Sequence, residues 1–538
     1  MLLNKKCMKK KLKYILSGFL FLFLIGCSEW LVVKPESEII LDEYWRSASD
    51  VNAVVASCYR RLTEPDIIAR MMIWGELRSD NITVGSGLSG NDNVLGSMSD
   101  VRRILEGEIT SHNSFVSWGG FYSVINYCNT VLEYAPYVTQ RDRNFTQADL
   151  SRTQGEVLAI RSLAYFYLIR AFKDVPWIED ASINDTQDYD RPQTPEEQIT
   201  DNIIRDLLIA RNTVPVSYGR TDYDKGRVTQ NMVNALLADV YLWKGDYQNA
   251  IEACDLVLAA PRLKLERGAY AFSKNFYLGN SSESIFELQF DDHGIVNEPV
   301  KRFYGSESRP AGYLGLPIVL SHNPYALENA TGDGSPFNFK VASIIESADD
   351  VRTKDSYLFQ GGVACIFKYA GAVREENATQ TGSVYSYRSN TSNWIIYRLS
   401  DVLLIKAEAL VQLETEESFR QAVLLVNDTY LRSNEGADSL QLTNYSGKAE
   451  LENLVLRERH REFLFEGKRW FDLLRMARRQ GSTNEINAIV EKKSSGMAVS
   501  LSVPVLDALY LPVSNGELRA NPKLVQNPYY KEVTSSSR

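Results

Sequence analysis

Residues 454–476 read LVLRERHREFLFEGKRWFDLLRM, and they limit the fold more than any other stretch. As a single helix the segment would run roughly 34 Å at about 1.5 Å per residue. Leu454, Val455 and Leu456 precede a charged middle, and Phe463, Leu464, Phe465, Trp470, Phe471, Leu473 and Leu474 follow it. A segment this apolar at both ends belongs in a core, so some of Arg457, Glu458, Arg461 and Glu462 go in with it. Buried charges persist only when paired and hydrogen-bonded, and Glu458 stands three residues before Arg461, the spacing of a helical ion pair. The same crowd with His460 could be read as an active site, but a buried structural ion network is the expectation.

At 538 residues the chain is too long for one simple core unless the architecture is modular. A net charge of −9 and a pI near 5.3 argue against a nucleic-acid binder, which would carry a basic stripe. With 29 Tyr, 21 Phe and 8 Trp, aromatics exceed what helix packing needs and leave enough for a binding surface.

The N-terminus sets the compartment. Lys5, Lys6, Lys9, Lys10, Lys11 and Lys13 precede an apolar run at 15–25, the pattern of a signal peptide spanning 1–26. Leu24-Ile25-Gly26-Cys27 resembles a bacterial lipobox, which implies cleavage before Cys27 and acylation of that residue. Several acyl chains, at ~0.8 kcal/mol per buried CH₂, give stable anchoring. Ser28 carries no inner-membrane retention signal, so the resemblance implies the outer membrane. Cys58, Cys128, Cys254 and Cys365 form no CxxC pair, and buried thiols are expected of them.

Along the chain, a helix is expected at 49–62 with Ser49 or Asp50 as cap, then MMIWGELRSDN at 71–81 and a polar Gly/Ser/Asn loop at 82–100. Residues 118–136 and 155–172 read as helices, the second buried on all sides. Thr194, Pro195 and Glu197 predict a capping box for the next helix. Residues 234–261 place Leu237, Ala238, Tyr241, Gly245, Tyr247 and Ala250 at tetratricopeptide spacing. Residues 403–431 repeat that hairpin with a break near Glu414. Between the copies, 262–392 loses helical periodicity, and Phe286, Leu288 and Phe290 alternate as in a strand. The tail after Val503 reads as loop.

Several of these segments resemble the SusD/RagB family of outer-membrane nutrient-binding lipoproteins. The residues are Trp118-Gly119-Gly120-Phe121-Tyr122 with Ile125-Asn126-Tyr127-Cys128-Asn129, then Gly155-Glu156 through Arg161 to Tyr165-Phe166. Further on come Tyr397-Arg398-Leu399-Ser400-Asp401 with Ala407-Glu408-Ala409, the run Phe465-Glu466-Gly467-Lys468-Arg469-Trp470-Phe471, and a tail with Leu511-Pro512-Val513 and Asn521-Pro522. They occur in family order over essentially the whole mature chain. The resemblance implies a mainly α, SusD-like fold in which tetratricopeptide-type hairpins pack against an irregular, loop-rich half with short strands that faces the ligand. It divides the single unit 27–538 into a helical half at 27–261, the irregular block at 262–392 and a helical part with tail at 393–538. It also implies capture of an oligosaccharide, or in some members a peptide, for a SusC-like TonB-dependent transporter, without catalysis.

The residues agree. Four histidines, at 112, 293, 322 and 460, lack metal-ligand spacing, and no nucleophile elbow, phosphate loop or dinucleotide fingerprint is present. No cofactor is expected and no metal, although Asn91-Asp92-Asn93 and Asp333-Gly334 have calcium-loop composition. A surface glycosidase stays as the enzyme alternative, because carboxylates are abundant. Sugars stack C–H faces on aromatic rings and hydrogen-bond to amide and charged side chains. By that chemistry the candidate ligand contacts are Trp74, Asp80, Asn81, Asn91, Asp92, Tyr304, Tyr313, Phe337, Tyr385, Tyr387 and Trp394. Trp74 and Trp394 lie in apolar runs, where core is the stronger reading.

Overall fold

The structure, a computed structural model, describes residues 44–535 except 86–87, 184–186, 188, 269, 307–311, 317, 321–338, 342–349, 361–362, 375–383, 390 and 495–500. The chain divides into the units Met1–Arg46 and Ser47–Arg538. Of the first, Tyr44, Trp45 and Arg46 are described; everything below concerns the second. Cys27 with the signal segment, Phe337 and Asp333-Gly334 lie outside the described residues. No helix among those described is long and apolar enough to cross a membrane.

Helices dominate and stack in chain order. Helix α1 (Ala48–Leu62) is capped by Ser47, two residues before the Ser49 of the sequence reading, in a reciprocal box with Asp50. It packs on α2 (Gly119–Arg141), which runs through Pro136, and α2 packs on α3 (Gln147–Phe172). From Gly155 to Phe172 every residue of α3 is buried, as its nearly all-round apolar pattern leads one to expect, and Glu156 and Arg161 go in paired with Arg227 and Asp206. Gly155 is where α3 meets α4 (Glu196–Thr213): a Cβ there would sit 2.0 Å from Thr213 Oγ1. The expected capping box of α4 is absent. Thr194 instead bridges to Val175, Pro195 holds the cap position, and Asp174 accepts the Glu196 amide at 2.9 Å.

The two hairpins form as read. Helices α5 (Gln230–Lys244) and α6 (Tyr247–Leu258) turn at Gly245, whose φ of 84° only glycine adopts cheaply.

After α6 the chain becomes irregular, with β4 (Ser284–Leu288) and the short helix α7 (Glu298–Phe303). Helices α8 (Leu399–Gln412) and α9 (Glu416–Ser433) then make the second hairpin, with Glu414 at φ 55° in the turn. Helix α6 packs on α8, so the two hairpins share one layer.

The strands are β1 (Thr83–Val84), β2 (Asn91–Asp92), β3 (Gly96–Ser97), β4, β5 (Leu314–Gly315), β6 (Ile318–Leu320), β7 (Phe339–Val341), β8 (Tyr357–Gln360), β9 (Val363–Ile366), β10 (Gly371–Arg374), β11 (Val384–Tyr387) and β12 (Trp394–Arg398). They pair antiparallel in two-stranded sheets. The alternation read over 285–290 does not translate into one wet face: β4 and its partner β12 are buried on both sides, where they join the block to the helical layer. The tail is more ordered than read, with a 3₁₀ turn at Leu506–Leu509 and helices Asn515–Ala520 and Pro528–Ser535.

The segment 454–476 is not one helix. Helix α10 (Lys448–Glu462) stops, the chain turns through Phe465 (φ 66°) and Gly467 (φ 69°), and α11 (Arg469–Gln480) begins. Buried Glu76 holds this turn by accepting the amides of Phe465 at 3.3 Å and Gly467 at 3.1 Å. The apolar run continues across the break because the turn itself is core.

The charged middle of that segment is a buried ion network, as expected, and it reaches well beyond one helix. Glu462 accepts from Arg398 at 2.6 Å, from Arg352 at 3.2 Å and from Arg432. Glu458 joins Arg352 and Arg461, each at 2.8 Å, while Arg398 also reaches Glu283 and Glu466, and Lys368 binds Glu466. Glu283, Arg352 and Lys368 belong to the irregular block, so the network fastens that block to α9, α10 and the turn after α10.

Candidate functional site

The β2–β3 hairpin presents Asn91, Asn93 and Val94 to solvent around an inward-facing Asp92. Asp92 Oδ1 accepts the amides of Val94 at 2.8 Å and Leu95 at 2.9 Å, which fixes the turn. Its Oδ2 accepts Arg302 at 2.5 Å and the Tyr313 hydroxyl at 3.0 Å. Burial alone would raise the Asp92 pKa, but those two amides, then Arg302 and Tyr313, outweigh it and hold the carboxyl below its ordinary value. Arg302 is oriented from behind by Glu298, four residues earlier on α7, at 2.9 Å. Asn297 caps α7 and anchors it by donating to the Ser392 carbonyl at 2.7 Å. Strands β1 and β5 pair beside the hairpin and set Tyr313 at its place.

The result is a preorganised surface: a half-buried tyrosine with its hydroxyl tethered, a partly exposed guanidinium and exposed amide side chains. The Tyr313 ring and the Arg302 guanidinium are thus oriented by the protein itself, and the Asn91 and Asn93 side chains stand exposed beside them. Asp92 itself spends its oxygens on the protein, so it positions the surface. Among the described residues no group of three or more His, Cys, Asp or Glu side chains converges as a metal cage.

A second aromatic feature lies in the same irregular block. Tyr387 packs edge-on against Phe367 with centroids 5.5 Å apart, and Arg388 stands over Tyr277 at 5.8 Å. Tyr385, its neighbour on β11, pairs with Val373 across the sheet.

The remaining candidates serve the core. Trp74 is buried, stacked on Phe121 at 4.9 Å, and its indole donates to the Phe115 carbonyl at 2.9 Å. Trp394 is buried against Tyr369 at 5.1 Å. Tyr304 is fully buried and donates to the Phe465 carbonyl at 2.9 Å. None of the three offers a ring face to a ligand, which corrects the sequence reading of them as contacts. For Tyr304 a neighbouring glycine signalled exposure, yet the ring is enclosed; Trp74 and Trp394 follow their apolar runs into the core.

Asp80 and Asn81 are likewise withdrawn from solvent. Asp80 pairs with Arg469 at 2.9 Å and lies 3.7 Å from His460. Asn81 donates to Glu76 at 2.6 Å and contacts the His460 ring. Burial, then Arg469, pushes the His460 pKa down to about 3 against the pull of Asp80, so the ring is neutral at physiological pH. Enclosed and neutral, His460 is scaffold.

Sequence reading missed Arg302 and Glu298. The signal was available: Asn297 before Pro299 marks a helix start, and Glu298 and Arg302 stand at i and i+4. Two clefts in the helical body lie away from this surface. One is lined by Arg78, Trp470, Leu501, Tyr529 and Tyr530; the other is lined by charged pairs around Arg459 and Asp472.

Residues 365–530 match the family model described as SusD family, and residues 29–242 match one described as starch-binding associating with outer membrane. The chain belongs to the SusD family. A curated relative, SusD-like protein P38 of Formosa agariphila, is 24% identical over 97% of this chain and 100% of its own length. A solved SusD superfamily protein from Bacteroides vulgatus superposes with a TM-score of 0.66 at 20% identity, covering 90% of this chain and 99% of that one. Surface glycan-binding protein A from Bacteroides thetaiotaomicron, solved in complex with laminarihexaose, gives a TM-score of 0.63 at 22% identity over 89% and 99%. The mainly α SusD fold with its irregular half is thus the fold of this chain.

Proposed function

We propose that this SusD-family protein is a cell-surface lipoprotein, anchored at Cys27 in the outer membrane, that captures an oligosaccharide and hands it to a SusC-like TonB-dependent transporter. The observation that carries the reading is the match along nearly the whole chain to a fold of which one solved member holds laminarihexaose. The preorganised Tyr313, Arg302 and Asn91 surface supports it, since it combines the ring, cation and amide groups that sugars use. The description of the N-terminal match, starch-binding associating with outer membrane, supports the location, and the lipobox at 24–27 supports the anchor. The protein binds and does not cleave: the carboxylates and histidine that invited an active-site reading are paired inside the core.

The ligand contacts proposed are Asn91, Arg302 and Tyr313, with Tyr385 and Tyr387 as a second aromatic group and Phe337 retained from the sequence. The test grows the source cells with an alkyne-tagged fatty acid and purifies the chain from detergent-solubilised outer membranes. Label on Cys27 and co-purification of a TonB-dependent barrel are expected. An unlabelled, soluble chain with no barrel attached overturns both the anchor and the hand-off.

A further inference from the structure

Helices α1 and α2 pack antiparallel, and their register is marked at both ends. At one end the Ala48 amide donates to Asp142 Oδ2 at 2.9 Å. At the other, Gly120 lies so close to the last turn of α1 and the residues just past it that a Cβ there would meet the Arg61 guanidinium at 3.0 Å and Asp66 Oδ2 at 2.6 Å. Ten residues on from Ala48 is Cys58, and fourteen back from Asp142 is Cys128, an offset of about one helical turn. Both face the seam. Cys58 continues the buried stripe Val51, Val55, Cys58, Leu62, and Cys128 continues Phe121, Ile125, Cys128. The Cys58 thiol donates back along its own helix to the Val54 carbonyl at 3.4 Å, and the register of the two helices sets buried Cys128 across the seam from it. Both are thiols in this structure, and Cys254 and Cys365 sit apart, on α6 and β9.

We propose that Cys58 and Cys128 are a modification site, a dithiol that oxidises to a disulfide and clamps α1 to α2. The two thiols give up two electrons and two protons to a disulfide-class oxidant; an S–S bond forms between them, and the oxidant's S–S bond opens to two thiols. The bond forms while α1 docks. In the finished fold both sulfurs are enclosed, and the neighbouring Cys128, then burial, push the Cys58 thiol up, away from the reactive thiolate.

The clamp has a consequence for the ligand surface. The loop it closes contains Glu76, the β2–β3 hairpin and so Asn91 and Asp92. Cross-linking 58 to 128 narrows the unfolded ensemble of that whole segment. It also secures α1, the first helix of the compact unit. The value of an oxidised clamp to the cell rests on the export proposed above, because disulfides persist in oxidising compartments. The chemistry itself does not.

The test is done on the full chain in detergent, refolded in a glutathione buffer poised to oxidise, then alkylated and digested without reduction. The expected result is a peptide pair joined through Cys58 and Cys128, and a Tm that drops by several degrees on reduction. Cys128→Ser should abolish both effects, and Cys254→Ser should leave both in place. Recovery of Cys58 and Cys128 as separate alkylated peptides from oxidised, natively folded wild-type chain overturns the proposal, even if the Cys128→Ser variant fails to fold. Because the readout is a covalent bond made by an added oxidant, it is independent of whether the chain is exported or binds a glycan.

Discussion

The guanidinium of Arg398 and the carboxylate of Glu462 meet at 2.6 Å with both side chains wholly excluded from solvent. Arg398 closes β12, one of the two buried strands that join the irregular block to the helices, and Glu462 ends α10. Every donor of Arg398 has a partner: Glu283, Ser400, Glu466 and the Glu462 carbonyl complete its set. Pairs this deep contribute little over a well-packed apolar substitute, but losing one partner strands the other charge. The network therefore acts as a registration device, fixing the irregular block on its helical scaffold.

Glu462→Ala is expected to cost roughly 3–5 kcal/mol, since it leaves Arg352, Arg398 and Arg432 without their shared acceptor. Urea unfolding at pH 7 measures it. Burial alone would raise the Glu462 pKa, but Arg432, Arg398 and Arg352 outweigh it and hold the carboxyl well below its ordinary 4.5. This contribution to stability is present above pH 4.5 and fades as pH falls further. A variant as stable as wild type would show that the network is dispensable.

Glu76 gives the opposite pH signature. Burial pushes its pKa up to about 7 from 4.5, against the hydrogen bonds from Asn81 and the Phe465 amide. The folded state then binds more protons than the unfolded one between those values, so this group's contribution falls as pH rises from about 4.5 to 7. Glu76→Gln removes that slope. Relative to wild type, its unfolding free energy should change by roughly 3 kcal/mol across the window, with little further change above it. Parallel stability curves for the two proteins would refute the assignment.

Gly467→Ala is expected to destabilise by about 1–3 kcal/mol. At φ 69° an added Cβ is strained, and it would stand 3.0 Å from the Met71 carbonyl and 3.1 Å from the Trp394 ring. Thermal unfolding reads this directly. An unchanged Tm would mean that the turn between α10 and α11 relaxes freely.

That turn also shows how far the sequence could be read. The hairpin at α5 and α6 was legible because Gly245 and the small residues around it carry both the turn and the packing. The break at 463–468 was hidden because Phe463, Leu464 and Phe465 keep the apolar spacing while the backbone leaves the helix. Its partner Glu76 lies almost four hundred residues away, and no local pattern announces so distant a bond. The site was half legible for the same reason. Asn91 and Tyr313 could be chosen by type, but what organises them is Asp92 meeting Arg302, a contact between segments some two hundred residues apart. Trp74, Tyr304 and Trp394 have the right chemistry for a sugar and lie in the core, because burial is decided by tertiary neighbours that composition does not reveal.

On the proposed ligand surface, Tyr313→Ala should weaken oligosaccharide binding about tenfold, the ~1–1.5 kcal/mol of a lost ring contact. Asn91→Ala, at an exposed hairpin position, should weaken it less and leave stability within about 0.5 kcal/mol of wild type. Trp74→Ala should do the reverse, lowering stability by roughly 3–5 kcal/mol with ligand selectivity intact in whatever folds. Affinity by calorimetry and Tm together separate the two classes. Loss of binding by a fully stable Trp74→Ala protein would move the site into the helical body.

The central claim is that the chain captures a glycan on its irregular face. Isothermal titration of the full chain in detergent against matched panels of oligosaccharides and peptides tests it most directly. Saturable heat with at least one oligosaccharide, reduced in Tyr313→Ala, and none with the peptides is the predicted result. Binding to peptides alone, or oligosaccharide binding untouched by Tyr313→Ala and Asn91→Ala together, would contradict it.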